Sequence, residues 1–171
     1  MSELSTNTPK DTPKGTPKGR VKSFQVDHTK LMPGIYLVKD CDHIKVYDLR
    51  FRRPNVQLPM QLDGYHSLEH LLAQAFRSTK HNPNIIAVDA AACCTMFYLV
   101  IDCRAHDYSD DLVHQLVFDA LHKVMEATEV PATTAEQCGN YQCHNLVLAK
   151  QYAHEYLSSL EEHLYTEYPL L

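Results

Sequence analysis

The stretch Tyr65-His66-Ser67-Leu68-Glu69-His70-Leu71-Leu72-Ala73-Gln74-Ala75-Phe76-Arg77 decides how this chain folds. Leu68, Leu71, Leu72, Ala75 and Phe76 recur at helical spacing, so the segment is a helix with one apolar face. His66 and His70 stand one helical turn apart and emerge on the same side, where both imidazoles can reach one ion, with Glu69 beside them. Packing and chemistry are thus written into the same helix.

Outward from it, short β-branched and aromatic runs at 35–38 and 44–51 read as strands, and Pro54 and Pro59 end that pattern before the helix begins. Beyond the helix, 85–88 and 95–101 read as two further strands. The small-residue run between them holds Cys93 and Cys94 at a turn or strand end. Ser109, Asp110 and Asp111 form a good helix start, continued by Leu112, Val113, Leu116, Val117, Ala120, Leu121, Val124 and Met125. A polar loop around Pro131 spans 128–143, and Leu146, Ala149, Tyr152, Ala153, Tyr156 and Leu160 mark a last helix. Strands and helices do not alternate regularly, so the expected class is α+β, an antiparallel-rich sheet packed against helices in one layered domain. Thr-Pro-Lys recurs from Thr8, Thr12 and Thr16 without an apolar residue to anchor it. Residues 1–20 therefore read as a disordered tail and 21–171 as the domain.

The 171 residues suffice for one core, and the formal charge of −5 gives no basic stripe for nucleic acid. No run is long and apolar enough to span a membrane and no secretory core opens the chain, so a cytoplasmic protein is expected. Two of the six cysteines are adjacent, which favours thiols kept for a metal or a reaction over a disulfide framework. Two histidines are not yet a metal centre. Cys138, at the end of the polar loop, is open to two readings from the residues alone: an ordinary buried thiol, or a third ligand that leaves a fourth position free.

Five ordered segments resemble the S-ribosylhomocysteine lyase (LuxS) family: Ser23-Phe24-Gln25-Val26-Asp27-His28-Thr29, Asp48-Leu49-Arg50-Phe51 with Pro54-Asn55, His66 to Leu71, Cys93 with Thr95, Phe97 and Tyr98, and Gln137-Cys138-Gly139 followed by His144 and Leu146. The resemblance implies cleavage of the thioether of S-ribosylhomocysteine into homocysteine and the dihydroxypentanedione precursor of autoinducer-2. It implies one divalent transition metal per chain on His66, His70 and Cys138, ferrous iron in the family, with zinc or cobalt able to substitute. Cys93 would be one base and Glu69 the other acid/base group, and Arg50 would lower the thiol pKa or touch substrate. Ser23 and His28 would line the substrate pocket across a homodimer interface, making the two active sites shared. Where relatives read Asp-Ile-Ser-Pro-Met-Gly-Cys, this chain has Ala87-Val88-Asp89-Ala90-Ala91-Ala92-Cys93, and Asp89 is the candidate to replace the lost acid. Alanine at position 92 is expected to displace Cys93 or the ligand, because glycine tolerates backbone that alanine does not. Two alternatives stay open: a non-catalytic metal-binding relative, and an inverted zinc peptidase with Glu69 activating water.

Overall fold

A computed structural model describes residues 22–171, with the side chains of Lys22 and Ser23 outside the description. The Thr-Pro-Lys repeat lies outside the described residues. After a 3-10 turn at Lys22–Gln25 come β1 (Gly34–Cys41), β2 (Ile44–Arg50), α1 (Leu62–Arg77), β3 (Ile85–Ala90), β4 (Met96–Asp102), α2 (Asp110–Glu126) and α3 (Leu146–Glu162). The strands form one sheet in the order β1-β2-β4-β3, every pair antiparallel. The α+β expectation holds, and α1 starts at Leu62, ahead of the first residue of the apolar pattern.

Alternation along each strand divides the sheet into two faces. Ile35, Leu49, Val88, Phe97, Leu99 and Ile101 face the helices and close the main core with Leu68, Leu72, Phe76, Leu121 and Tyr156. Leu68 and Leu72 have no solvent exposure, and each contributes about 2 kcal/mol by burial, which fixes the rotation of α1 and hence the direction of its histidines. Helix α2 begins as its sequence dictates, with Ser109 accepting from the Leu112 N–H and acidic residues in the first turn. Helix α3 is capped by the side chain of Asn145, which accepts from Leu148 N–H.

The other face carries Tyr36, Asp48, Arg50, Met96, Tyr98 and Asp89 in register. The C-terminal segment, which has no periodicity in the sequence, crosses part of it. Tyr168 stacks on Tyr36 with 4.7 Å between ring centroids and donates its hydroxyl to Asp48 at 3.0 Å. Leu170 bridges Val26, and Asp27 N–H donates to Pro169 carbonyl at 2.6 Å, so the segments at 25–27 and 169–171 are tied together.

Candidate functional site

Helix α1 delivers His66 and His70, the polar loop delivers Cys138, and the loop just ahead of α3 brings a fourth group, His144. The ligating atoms of all four lie within 4.8 Å of one another. Cys138 Sγ stands 3.4 Å from His66 Nε2 and 3.7 Å from His144 Nε2. A tetrahedral centre with metal–nitrogen and metal–sulfur bonds of about 2.0 and 2.3 Å has a nitrogen–sulfur edge of about 3.5 Å, close to both distances.

The surroundings of these atoms also suit a cation. His66 Nδ1–H donates to the Cys143 carbonyl and His70 Nδ1–H to the Pro131 carbonyl, each at 2.9 Å. A carbonyl only accepts, so both rings carry the proton on Nδ1 and turn an Nε2 lone pair inward. Cys138 is buried, and Asn140 N–H donates to its sulfur at 3.4 Å. Cys138 is thus grouped with the two histidines as the ligand alternative required. His144 was not read as a ligand from the sequence: it sits in a loop six residues past Cys138 and obeys no helical spacing. Burial, followed by neighbouring His66 and His70, holds its pKa below the ordinary histidine value.

Glu69 leaves the same helix toward the β3 end, where its Oε1 accepts from Ala90 N–H at 3.4 Å. With His70, Val88, Pro131 and Ala132 it lines a recess of about 590 Å³. Cys93 lies in the β3–β4 turn and is exposed. Its turn is pinned by Tyr65, whose hydroxyl accepts from Ala91 N–H at 2.6 Å and reaches the carbonyls of Ala91 and Met96.

A chain of contacts runs from the sheet to the Cys93 sulfur. Arg50 donates through Nη2 to Asp48 at 2.5 Å and through Nη1 to Thr95 Oγ1 at 2.8 Å. Thr95 Oγ1 is 3.1 Å from Cys93 Sγ. Because the hydroxyl oxygen accepts from Arg50, its own proton is free to point at the sulfur. Burial pushes the Asp48 carboxyl up, against the pull of the Arg50 guanidinium. Cys93, Arg50, Thr95, Tyr98 and His28 line one groove of about 570 Å³, rimmed by the exposed Val56 and Leu58.

The structure therefore gathers the expected residues into two sets, a donor cluster flanked by Glu69 and a thiol groove holding Arg50 and His28. Asp89 joins neither recess; it is exposed on β3 opposite Tyr98. The Ser23 side chain lies outside the described residues. Ala92 is not in the left-handed region, whereas Cys94 is, with φ of 54°. The backbone demand in this turn falls one residue after Cys93, where a non-glycine residue meets a cost of about 1 kcal/mol.

Fold and site together define a small α+β protein with a histidine–cysteine metal-binding group on an H-x-x-E-H helix. The sequence profile described as S-Ribosylhomocysteinase (LuxS) matches residues 21–167. The chain belongs to the LuxS family. Among curated relatives, the S-ribosylhomocysteine lyase of Staphylococcus haemolyticus is 38% identical over 143 residues, covering 80% of this chain and 88% of that protein. The S-ribosylhomocysteine lyase of Halobacillus halophilus is 39% identical over 148 residues, covering 83% of this chain and 93% of that protein. No helix among the described residues is long and apolar enough to cross a membrane.

Proposed function

We propose that this protein is a cytoplasmic, metal-dependent carbon–sulfur lyase that cleaves S-ribosylhomocysteine to homocysteine and the dihydroxypentanedione precursor of autoinducer-2. The observation that carries this reading is the donor cluster, with His66, His70 and Cys138 oriented by their own hydrogen bonds, in a chain of the LuxS family. These residues fit a divalent transition ion, ferrous iron or, in its place, zinc or cobalt. Such an ion would supply Lewis-acid polarisation of the sugar oxygens.

The chain's own groups supply the rest. Cys93, with the Thr95 hydroxyl at its sulfur and the Arg50 guanidinium behind it, takes a proton from a sugar carbon and returns it to the neighbouring carbon, so that the carbonyl migrates. Glu69 carries the proton between the sugar oxygens. Once repeated transfer has brought the carbonyl to where the sulfur-bearing carbon is β to it, removal of the C–H proton on the carbon between them forms a C=C bond as the carbon–sulfur bond breaks, and the departing thiolate takes up a proton as homocysteine. Asp89, exposed on β3 opposite Tyr98, is assigned to substrate contact in place of the acid that relatives carry at the position of Ala87.

We place the active sites at the interface of a homodimer, with Ser23 and His28 facing the metal ligands of the second copy. Support comes from the apolar Val56 and Leu58 left exposed at the rim of the groove that His28 lines. Mixing inactive His28→Ala and His66→Ala proteins should then restore part of the activity through mixed dimers. For the reaction itself, iron-loaded protein is incubated with S-ribosylhomocysteine and free thiol is titrated. Stoichiometric homocysteine is expected; protein with a full metal complement that releases no thiol would leave the non-catalytic reading standing.

A further inference from the structure

The buried pair of Asp48 and Arg50 is only half made. Asp48 Oδ2 takes two donors, Arg50 Nη2 at 2.5 Å and the Tyr168 hydroxyl at 3.0 Å. Asp48 Oδ1, also buried, takes none among the described residues. Arg50 mirrors this: Nη1 donates to Thr95 Oγ1, Nη2 to Asp48 and Met96, and the buried Nε has no acceptor among the described residues. An aspartate and an arginine left to themselves pair through two parallel bonds, and a buried polar atom without a partner is unfavourable. A further contact therefore holds the pair open.

Tyr168 is that contact. Its ring is fixed by the stack on Tyr36, and the ties between 169–171 and 25–27 fix the backbone beside it, so its hydroxyl reaches Asp48 from a set direction. Oδ2 is anchored between Tyr168 and Arg50, and the carboxylate cannot turn to offer both oxygens to Nε and Nη2. The guanidinium is one rigid plane. If Nε swung onto Oδ1, Nη1 would leave Thr95, and the Thr95 hydroxyl would lose the donor that frees its own proton for Cys93 Sγ. Tyr168 stands just past residue 167, the last position matched by the LuxS profile, so this brace lies outside the matched segment.

We propose that Tyr168 is a positioning residue for Cys93: its hydroxyl keeps the Asp48–Arg50 pair singly bonded, which leaves Arg50 to hold the Thr95 hydroxyl at the sulfur. The inference rests on the role given to Cys93 above for its effect on turnover. Cys93 is faced by Arg50 of β2, Tyr98 of β4, Tyr65 and Glu69 of α1, Cys94 of its own turn and His28 across the groove. Tyr168 does not line that groove. Of the facing groups only Arg50 hydrogen-bonds both to Asp48 and to the Thr95 hydroxyl, so it is the route from Tyr168 to the thiol.

Alkylation of Cys93 by iodoacetamide, followed by peptide mass in the full-length, metal-loaded protein, tests this without substrate. Tyr168→Phe keeps the stacked ring and removes the hydroxyl. It should slow alkylation at neutral pH about 3-fold, with the difference gone at about pH 10, where a thiol ionises unaided. A purely structural role would slow it at both pH values or at neither, and either result sinks the proposal. In a Thr95→Val background the path to the sulfur is already cut, so Tyr168→Phe should add nothing. Equal slowing in both backgrounds would show that the effect does not run through Arg50 and Thr95. Should Tyr168→Phe not fold, nitrogen-15-labelled wild type still decides. Its Arg50 Nε–H should show no coupling across a hydrogen bond to the Asp48 carboxyl carbon, and such a coupling would mean a doubly bonded pair with nothing to hold open. Turnover separates this from the lyase reading: protein that alkylates as described but releases no homocysteine from S-ribosylhomocysteine would refute the activity and support the brace.

Discussion

At Thr95 a single hydroxyl joins a buried guanidinium to an exposed thiol. Thr95→Val keeps the shape and removes the link, and it leaves Arg50 Nη1 without its acceptor, at a stability cost of about 1–3 kcal/mol. The expected outcome is alkylation of Cys93 at neutral pH about 10-fold slower than in wild type, with metal content unchanged and Thr95→Ser close to wild type. Equal alkylation rates in wild type and Thr95→Val would detach the hydroxyl from the reactivity of the sulfur. Thr95 was legible in the sequence only as part of the resemblance around Cys93; its bond to Arg50 joins residues 45 positions apart and follows no local pattern. His66 and His70 were legible because helical geometry alone puts them together. Cys138 and His144 reach them through a loop, whose path depends on packing that no short-range rule records.

The helix α1 is read twice, once by the sheet and once by α3. Its leucines face the strands, while Gly64 lets α3 approach so closely that an added Cβ would lie 2.6 Å from Leu148 Cβ and 2.9 Å from Tyr152 Cε2. Gly64→Ala gains about 1 kcal/mol of helix propensity but overpacks this crossing by about 1–3 kcal/mol. Net destabilisation is expected in urea unfolding, together with weaker metal retention, because His66 lies half a turn further on. Stability equal to or above wild type would show that α3 gives way freely. The same glycine explains why the helix begins before its apolar pattern: exposed Leu62 and polar Asp63 add nothing to the periodicity, and glycine reads locally as a breaker. Strand and helix identities were otherwise legible from period and punctuation, since each element buries one face.

Over the whole molecule, the two faces of the sheet do different work, one closing the core and the other holding Asp48 and Arg50 beneath Tyr168. Tyr168→Phe keeps the stack on Tyr36 and removes only the donor to Asp48, so a loss of about 1 kcal/mol is expected. Tyr168→Ala removes both and should cost about 2 kcal/mol or more, measured by thermal unfolding of the metal-loaded protein. Equal losses from the two substitutions would mean that the ring contributes nothing. This cover was invisible in the sequence, because residues 164–171 have neither helical nor strand periodicity and gain their meaning from partners at 25–36 and 48. The bond between Tyr168 and Asp48 spans 120 positions, and a ribosome makes the earlier residue first. The emerging chain can therefore lay down its helix of histidines well before the Asp48–Arg50 pair is roofed, so the thiol end of the site matures late in synthesis, after the metal end has its first two ligands in place.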